Sequence, residues 1–583
     1  MPRKSMIDAT KAFPNTPGRL EIECRSPAKN LCEAVRKLAS AILVAGAGLG
    51  AQSVSATSCE SLVTLPLPDA TIMSATSIPG PLFIAPNGQT YDVPPFCKVS
   101  AVSNPTPDSV INIELWMPSS GWNGRFEGTG NGGYAGNISL SVQAMMLGLK
   151  LGNAVAGTDM GTAPSTFTDA DVLVGHPEKW VDFGWRSTHV MTVVSKEVIK
   201  AFYGDAPRYS YFNGCSTGGQ QALMEAQRFP TDYNGILAGD PGNNRTHLHT
   251  ALVWNYRAMH AAADSQISSG QAQAITNAVV AACGVKSGSL ATDPFLTDPR
   301  TCNWDPGALQ CSTPVSDGSC LNADQVQAAR LIYQGPIDPA TGHRIYPGSV
   351  RGGENDSLFG WAGTFTTTAE PPFDSLFKWV FGPAWLWPTF DFDQNIEEVN
   401  QVLADDLNAN DADLSEFQSA GGKLLVYHGW ADTLVSPQDS INYYMRVAAN
   451  QGKGPNGLKK TQQFYRLFMV PGMYHCVLGP GPNAFGNTDS DLDPQPPPVE
   501  DADHDALLAL EQWVEKGIAP QKIVATKYVY DTPQLGIAMQ RPICPFPQVP
   551  KYSGTGDTNV ASNFVCVASP ATTSQVSAPE YLQ

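Results

Sequence analysis

The chain has 583 residues, of which 42% are hydrophobic and 15% are charged, so it can bury one large core plus a substantial insertion, or two domains. This composition excludes a disordered or fibrous protein, and 53 Gly and 47 Pro favour many loops on a rigid frame over a helical bundle. No short period repeats along the sequence, which excludes a solenoid or a propeller. The formal net charge of −18 argues against nucleic acid or an anionic membrane as a partner.

The N-terminal residues have the pattern of an export signal. Residues 1–37 carry eight Lys or Arg against four Asp or Glu, and an uncharged run, LASAILVAGAGLGA, follows at 38–51. We therefore predict a signal peptide at 1–51 and a secreted or periplasmic protein. A membrane anchor is the alternative, but an apolar run of about 14 residues is shorter than the roughly 20 that a spanning helix needs. Without this leader, whose net charge is +4, the chain carries −22.

Ten cysteines follow the leader, and two more, Cys24 and Cys32, lie within it. An even count behind an export signal favours disulfide bonds. Because no two cysteines have the CxxC spacing of a zinc site, the metal interpretation has no support.

Short apolar strands alternate with helical segments along the chain. Six segments predict strands: 110–118, 152–161, 208–214, 235–239, 423–429 and 464–472. The first leads into a glycine-rich stretch, WNGRFEGTGNGGYAG, that we predict as a loop, and the third precedes a helical stretch that Pro230 ends. This alternation indicates an α/β fold with a mostly parallel sheet and helices on both faces.

About 180 residues separate the strand that ends at 239 from the strand that begins at 423. Since that is too long for a loop in a compact domain, we predict a lid domain at 242–419, inserted between the two parts of a catalytic domain at 52–241 and 420–583. Lids over the edge of a sheet commonly select substrates.

The sequence GCSTG, centred on Ser216, fits GxSxG between a predicted strand and a predicted helix. In this context the motif forms a strained turn that exposes the serine hydroxyl, while small flanking residues let the backbone segments approach. We therefore predict that Ser216 is a nucleophile. A glycine-rich turn without catalytic function is the alternative.

A nucleophilic serine needs a base, and the base needs an acid that orients it. His475 follows a predicted strand in VPGMYHC, and Asp432 follows another in HGWADTLVSP. The order Ser216, Asp432, His475 is that of the α/β-hydrolase fold, in which each residue comes from a loop at the carboxyl edge of the sheet. An exposed loop histidine is the alternative for His475, and we interpret His428 as a structural histidine.

Three further histidines, His247, His249 and His260, lie early in the predicted lid. The HLH pair is compatible with a metal site, but no acidic or cysteine residue stands at ligand spacing. We predict no metal there.

Cysteines stand directly beside two of the predicted catalytic residues. Cys215 precedes Ser216, and Cys476 follows His475. If Ser216 and His475 form a hydrogen bond, the Cα atoms of their neighbours come within the roughly 4.4–6.8 Å that a disulfide spans. Such a bond would hold the base against the nucleophile. A nucleophilic Cys215 is the alternative, but the turn presents its central residue, which is Ser216.

This Cys-Ser, Asp, His-Cys arrangement resembles that of the tannase and feruloyl esterase family. The resemblance covers nearly the whole chain after the leader, and its segments are WNGRFEGTGNGGYAG, YFNGCSTGGQQALMEAQRFP, YNGILAGDPG, LLVYHGWADTLVSP, MVPGMYHC and RPICPFPQVPKYSGTGDTNVASNFVC. It implies a serine carboxylic-ester hydrolase. One oxyanion-hole donor should be the Thr217 N–H, and the resemblance implies that the other comes from Gly132 or, next, Gly133.

The resemblance also implies a disulfide pairing that spacing alone does not fix. The implied pairs are Cys59–Cys97, Cys215–Cys476, Cys283–Cys302, Cys311–Cys320 and Cys544–Cys566.

One segment departs from the family pattern. Family lids usually carry a calcium loop that begins Cys-Asp-x-x-Asp-Gly-x-x-Asp-Gly, whereas Gly284 and Ser287 stand here at the first two aspartate positions. Calcium needs several oxygen ligands that include carboxylates, and Asp293 is the remaining candidate. We therefore expect weak calcium binding or none, and no required cofactor.

Residues 359–393 are dense in aromatic residues, which suits stacking on a phenolic acyl group, although most should fill the core of the lid. No arginine occurs between Arg351 and Arg446, so an acyl group with a free carboxylate lacks a guanidinium partner in this stretch. This favours hydroxycinnamate or gallate esters over terephthalate-type monoesters.

We predict an exported esterase that acts on small aromatic esters of plant phenolic acids such as ferulate. Tannase activity on galloyl esters is the nearest alternative, and acyl transfer to a sugar or alcohol by the same triad is the second. A non-catalytic carbohydrate-binding protein is the third, and the complete triad argues against it.

Overall fold

The computed structural model describes residues 58–312, 318–488, 496–569 and 571. The predicted signal peptide at 1–51, with Cys24 and Cys32, lies outside the described residues. Within these ranges, no helix combines the length and the apolar character that crossing a bilayer requires.

A nine-stranded sheet forms the centre of the fold. The strands of the described residues are β1 (Ala70–Ile78), β2 (Leu82–Ile84), β3 (Thr90–Asp92), β4 (Phe96–Ser103), β5 (Ile111–Pro118), β6 (Arg125–Thr129), β7 (Ala154–Thr158), β8 (Tyr209–Cys215), β9 (Gly235–Gly239), β10 (Lys423–Gly429), β11 (Tyr465–Val470), β12 (Ile523–Tyr528), β13 (Ile537–Ile543), β14 (Gln548–Tyr552) and β15 (Phe564–Ala568). The sheet order is β1-β4-β5-β7-β6-β8-β9-β10-β11. The six strands from β7 to β11 in this order are parallel, and β1, β4 and β5 add an antiparallel edge.

Helices pack on both faces of the sheet and also occur in the segment between β9 and β10. They are α1 (Val142–Lys150), α2 (Pro177–Val181), α3 (Ser187–Tyr203), α4 (Thr217–Arg228), α5 (Arg245–Met259), α6 (Ser269–Ser287), α7 (Ala323–Gln334), α8 (Trp361–Thr366), α9 (Ser375–Phe381), α10 (Gln394–Leu407), α11 (Ser415–Ser419), α12 (Pro437–Gln451), α13 (Gly454–Thr461) and α14 (Ala506–Lys516). A π-helical turn, Asp182–Arg186, joins α2 to α3.

The alternation of side chains along a strand explains why both faces are covered. In β10, Leu424 and Val426 pack in one apolar cluster with α3, α4 and α12, whereas Leu425 and Tyr427 pack in another with α14. Successive strand residues point to opposite faces, so a strand that is apolar at every position must be buried on both sides. The continuous apolar runs in the sequence therefore require this layered arrangement.

The segment between β9 and β10 contains helices α5 to α11. Its buried residues, among them Trp361, Phe377 and Leu403, form a separate cluster with Tyr134 and Leu434, which follow β6 and β10. Residues 242–419, called the helical insertion below, thus pack on loops at the carboxyl ends of the parallel strands.

Five disulfide bonds join the ten cysteines that follow the leader. The pairing is the one that the resemblance implies: Cys59–Cys97, Cys215–Cys476, Cys283–Cys302, Cys311–Cys320 and Cys544–Cys566. Disulfides in this number are typical of proteins that fold in an oxidising compartment.

The sequence analysis correctly predicted six strands of the sheet and missed others. The confirmed strands are β5, β7, β8, β9, β10 and β11. The prediction of a continuous loop at 122–136 was wrong, because β6 lies inside it. The charged residues Arg125 and Glu127 and the glycines of this segment conceal the strand, since they break the apolar alternation on which the prediction depended.

Glu127 of β6 places a carboxyl group in the interior of the sheet. It is 1% exposed and accepts a hydrogen bond from Asn153 Nδ2 at 2.8 Å. Burial raises the pKa of Glu127 from its ordinary value of 4.5 to about 7, although hydrogen bonds from Asn153 and Asn213 oppose the rise. The folded state therefore favours the neutral form.

Glu127→Gln is expected to reduce the loss of stability at alkaline pH. A carboxyl group with a raised pKa contributes its full stability below about pH 4.5, and this contribution is lost as the pH rises through about 7. The rise in pKa corresponds to about 3 kcal/mol, most of which falls between pH 5 and pH 8. Denaturant unfolding at these two pH values should show the variant gaining about this amount relative to the wild type. Exposed Glu416→Gln is the control, and an equal response of both variants contradicts the prediction.

Candidate active site

Ser216 lies at a sharp turn between the end of β8 and the start of α4. Its φ of +63° and ψ of −117° form a conformation that residues other than glycine rarely adopt. Two hydrogen bonds hold the turn: the Ser216 N–H donates to the Gly239 carbonyl at 3.0 Å, and the Gly242 N–H donates to the Ser216 carbonyl at 3.1 Å. The turn is thereby fixed against the loop that follows β9.

Three glycines let backbone segments meet beneath this turn. A Cβ atom on Gly130 would lie 2.5 Å from the Gly218 Cα, and one on Gly214 would lie 2.8 Å from the same atom. Both separations are shorter than carbon atoms tolerate, so side chains at these positions would push the segments apart. The Gly218 N–H also donates to the Asn131 carbonyl at 2.7 Å, which holds the loop after β6 beside Ser216.

Ser216, His475 and Asp432 form a continuous hydrogen-bonded chain. Ser216 Oγ lies 2.8 Å from His475 Nε2, and His475 Nδ1 lies 2.6 Å from Asp432 Oδ2. Ser216 follows β8, Asp432 follows β10 and His475 follows β11, so the parallel strands bring the three loops to one edge of the sheet. The structure therefore brings together the three side chains that the sequence analysis selected.

The surroundings of Asp432 keep it ionised. Its Oδ1 accepts the N–H groups of Leu434 at 2.8 Å and Val435 at 2.9 Å. Burial by itself raises the pKa of Asp432, but His475 and His428 outweigh burial and lower the pKa below its ordinary value. An ionised acceptor at this place fixes the orientation of the imidazole and favours its protonated form.

A second histidine lies behind Asp432. His428 Nε2 is 3.3 Å from Asp432 Oδ2 and 3.6 Å from Asp240 Oδ1, and His428 Nδ1 is 2.8 Å from Ser440 Oγ. Burial opposes the charged form of His428, but Asp240 and Asp432 outweigh it and raise the pKa. Burial also raises the pKa of Asp240 to about 7. The sequence predicts a structural role for His428, and its contact with Asp432 was not predicted.

The Cys215–Cys476 bond joins the neighbours of Ser216 and His475, with Cα atoms 6.0 Å apart and a sequence separation of 261. Cys476 has a φ of +65°, so the loop that carries His475 contains a strained backbone. The bond holds this loop against the end of β8, although β9 and β10 lie between β8 and β11 in the sheet.

Thr217 and Gly133 lie with Ser216 on the wall of a small cavity. Thr217 is the first residue of α4, so its N–H has no acceptor within the helix. A Cβ on Gly133 would lie 2.0 Å from the Phe167 carbonyl oxygen, which excludes other residues there. Gly132 directly precedes it. The role of the Gly132 N–H, or next of the Gly133 N–H, as the second oxyanion donor stays a prediction.

Apolar side chains form most of the remaining wall of this cavity. They are Phe167, Leu248, Leu252, Phe373, Leu434 and Val435. The cavity volume is about 20 Å³, which is room for about one water molecule. The Phe359 ring stands edge-on to His475, with ring centroids 5.3 Å apart. An aromatic acyl group therefore requires such side chains to move when it binds.

The other aromatic residues of 359–393 mostly fill the core of the helical insertion, as expected. Those in its buried cluster include Trp361, Phe365, Phe377, Trp379, Trp385 and Phe390. Only part of the aromatic density seen in the sequence therefore lies at the site.

A positive charge also lines the cavity. Arg245, the first residue of α5, is 4% exposed and lies on the same wall as Ser216. We did not predict Arg245 from the sequence, because the expectation about arginines rested only on the stretch between Arg351 and Arg446.

The early histidines of the helical insertion form hydrogen bonds with other groups of the protein. His247 Nδ1 lies 2.8 Å from the Ile345 carbonyl oxygen, and His249 Nδ1 lies 2.9 Å from the Phe373 carbonyl oxygen. Within the described ranges, no cluster of three potential metal ligands includes His247, His249 or His260. The first two histidines attach α5 to later parts of the insertion.

In the segment 283–302, where we expect weak calcium binding or none, the positions considered as calcium ligands form hydrogen bonds and an ion pair with protein groups. Ser287 Oγ donates to the Gly284 carbonyl at 2.7 Å. Asp293 Oδ1 lies 3.1 Å from Arg541 Nη2, and both side chains are buried. A carboxylate engaged by a guanidinium, beside neutral hydroxyl groups, does not fit the ligand set of calcium.

Comparisons with known proteins agree with the fold and show the family. A family model described as tannase and feruloyl esterase matches residues 97–373 and 388–567. An uncharacterized esterase from Xanthomonas campestris pv. campestris is 38% identical over 560 residues, which cover 92% of this chain and 95% of that protein. "Probable feruloyl esterase B-2" from Aspergillus flavus is 33% identical over 77% of this chain and 83% of its own length. The crystal structure of feruloyl esterase B from Aspergillus oryzae is similar at a TM-score of 0.76 and 29% identity, and covers 87% of this chain and 99% of its own.

Replacing Cys215 and Cys476 together by alanine is expected to lower both stability and the turnover number. The loop that this bond closes spans 261 positions, for which chain entropy gives about 5 kcal/mol at most. Small displacements of a base cost large factors in rate, so kcat should fall by about 10-fold or more. The matched control is the Cys544, Cys566 double alanine variant, whose bond lies outside the cavity and closes a span of 22. Equal kcat values for the two variants would rule out a role of the Cys215–Cys476 bond in catalysis.

Proposed function

Because the chain belongs to the tannase and feruloyl esterase family and is a carboxylic ester hydrolase, we propose that it acts on esters of plant phenolic acids such as ferulate, through an acyl-enzyme on Ser216. The observation that carries this proposal is the hydrogen-bonded chain from Asp432 through His475 to Ser216, which ends at an apolar cavity. The relatives described as feruloyl esterases support ferulate as the acid part of the ester.

In the proposed reaction, His475 is the general base and then the general acid. Its Nε2 accepts the Ser216 proton as Oγ attacks the ester carbonyl carbon. The same proton then goes to the alkoxide that leaves when the ester C–O bond breaks. Water repeats the sequence on the acyl-enzyme and releases the carboxylic acid. Asp432 holds the tautomer of the imidazole and stabilises its cation throughout.

The negative charge of each tetrahedral intermediate needs donors that are already in place. The Thr217 N–H at the start of α4 supplies one, and the N–H of Gly132 or Gly133 supplies the other. Loss of one such donor costs roughly 3 to 4 kcal/mol in the activation barrier. The glycines that fix this loop beside Ser216 therefore bear directly on the rate.

The walls of the cavity support an aromatic acyl group. Phe167 and Phe373 offer ring faces or edges for a phenolic ring, and Leu248 and Leu252 add aliphatic surface. The helical insertion supplies the last three of these side chains, so we propose that it is a lid that selects the substrate. Galloyl esters are the second candidate, favoured by the match to a family model that includes tannases.

We propose that the protein works outside the cytosol. The five disulfide bonds support export, because such bonds persist in oxidising compartments. The sequence pattern at 1–51 supports the same conclusion.

Initial hydrolysis rates on methyl ferulate, methyl gallate and a terephthalate monoester test the substrate proposal. Methyl ferulate should give the highest kcat/KM, and Ser216→Ala should lose activity on every ester by about 10⁴-fold or more, since the nucleophile is absent.

Each possible result of this comparison has a distinct meaning. Preference for methyl gallate replaces the first substrate with the second, and preference for the terephthalate monoester contradicts both. A second assay with an added alcohol compares hydrolysis with acyl transfer, and predominant transfer product contradicts a hydrolase. Retained activity in Ser216→Ala contradicts the acyl-enzyme on this serine.

We also propose that the protein needs no calcium. Metal analysis after dialysis should find less than one calcium per chain, and a chelator should leave Tm unchanged, because only a ligand bound to the folded state raises Tm. Asp293→Asn should lower Tm equally with and without the chelator, since its partner is Arg541. Stoichiometric calcium, or a chelator effect that Asp293→Asn abolishes, contradicts the proposal.

A further inference from the structure

Arg245 is a buried cation that has no carboxylate partner among the described residues. Its side chain lies in the cavity wall, and its Nε has no hydrogen-bond acceptor within the described part of the chain. No ion pair among the described residues includes it, and the acidic groups that act on its charge are the phenols of Tyr134 and Tyr346. Phe183 offers the face of its ring at 5.2 Å from Cζ.

Such a placement is costly for the fold. Burial lowers the pKa of Arg245 to about 10, which shows how strongly its surroundings oppose the charge. The residue also begins α5, where the helix dipole disfavours a cation. Buried charges without a partner destabilise proteins and are concentrated at functional sites. This position therefore calls for a functional explanation.

The hydrogen bond that the guanidinium makes within the described residues leads to the predicted oxyanion site. Arg245 Nη2 donates to Thr217 Oγ1 at 2.9 Å, and Thr217 Oγ1 donates to the Gly133 carbonyl oxygen at 2.7 Å. Thr217 and Gly133 belong to the two segments that carry the predicted oxyanion donors. The hydroxyl therefore connects these segments, and the guanidinium polarises that hydroxyl.

We propose that Arg245 is a positioning residue for the oxyanion hole: through the Thr217 hydroxyl it holds the Thr217 and Gly133 backbones in register, and its charge favours the oxyanion. This inference rests on the proposed role of Ser216 and of the Thr217 N–H. It does not depend on which acid the enzyme prefers. The Thr217 side chain and its backbone N–H thus have separate tasks, since the side chain links the segments and the N–H faces the substrate.

The absence of a carboxylate partner is consistent with this task. A paired guanidinium would have its field cancelled by its partner at short distance, whereas an unpaired one in a dry site acts on charge that develops nearby. The N-terminus of α4 points to the same place and adds a positive potential. Both contributions exist before the reaction starts, so neither requires reorganisation in the transition state.

The test uses p-nitrophenyl acetate, whose acyl group carries no charge and no ring. Arg245→Met should lower kcat by roughly 10- to 100-fold, the range for loss of a hydrogen bond from a charged group, and change KM little. The rate at which a p-nitrophenyl phosphonate labels Ser216 should fall in parallel. Arg245→Lys should recover part of kcat, because the charge remains without the planar fork. Arg257→Met is the matched control, since Arg257 is in the same helix and donates to the Phe390 and Pro388 carbonyls.

A double-mutant cycle decides whether Arg245 acts through Thr217. Thr217→Val removes the hydroxyl but keeps the shape and the backbone N–H, and Thr217→Ser keeps the hydroxyl. Thr217→Val should lower kcat to a similar extent as Arg245→Met, and the double variant should be little worse than either single one. Thr217→Ser should stay close to the wild type. Independent, multiplicative effects of the two single variants would overturn the proposal.

Two further results would also overturn it. One is an effect of Arg245→Met confined to esters whose acyl group carries a carboxylate, because the arginine would then bind substrate. The other is a fall in kcat that only follows a loss of folded protein. We expect the Tm of Arg245→Met to equal or exceed that of the wild type, since the variant removes an unpaired buried charge.

The outcomes separate this inference from the proposed function. Hydrolysis of p-nitrophenyl acetate that requires Ser216, with none of methyl ferulate, would contradict the substrate proposal and still decide the role of Arg245. Full activity of Ser216→Ala on p-nitrophenyl acetate would contradict the role of Ser216, and the inference on Arg245 with it.

Discussion

The close approach of three glycine backbones beneath Ser216 is the constraint on which the rest of the site depends. A Cβ on Gly130 or Gly214 would collide with the Gly218 Cα, so larger residues would separate β6 from the turn after β8. With glycines, the loop after β6 reaches the start of α4, where the Gly218 N–H donates to the Asn131 carbonyl. The proposed nucleophile, the N-terminus of α4 and the glycine loop are consequently one unit rather than three independent parts.

The proposed base, His475, must be held against this unit from a strand that is not adjacent to β8. His475 follows β11, and two strands separate it from β8. Parallel strands bring their carboxyl ends to one edge, but a loop at that edge keeps conformational freedom that a catalytic hydrogen bond alone cannot remove. The Cys215–Cys476 bond removes it next to both reacting side chains. Asp432, fixed by two backbone N–H groups, then sets the orientation of the imidazole.

Local patterns in the sequence were sufficient for every parallel strand of the sheet except β6, and for the three side chains that meet at the ends of β8, β10 and β11. β9 is apolar throughout and β10 is apolar from Leu424 to Tyr427, and a parallel sheet dictates where the following loops lie. β6 was not predictable in this way, because partners far along the chain, such as Glu515 for Arg125 at 2.7 Å, accommodate its charged residues. The roles of Arg245 and His428 likewise come from burial and from contacts between distant segments. Nothing in their immediate sequence distinguishes them from ordinary surface or structural residues.

Charged side chains of the site lie where the proposed reaction creates the opposite charge. In the proposed reaction, positive charge appears on His475 as Ser216 attacks, and negative charge appears on the carbonyl oxygen of the substrate. Asp432 lies 2.6 Å from the imidazole on the side away from Ser216, and Arg245 lies behind Thr217 on the side of the proposed oxyanion. Each developing charge therefore meets an opposite charge that the fold has already placed. Since a buried guanidinium without a carboxylate partner destabilises a fold, we propose that the placement of Asp432 and Arg245 on opposite sides of Ser216 serves to stabilise the transition state, to which both contribute at once.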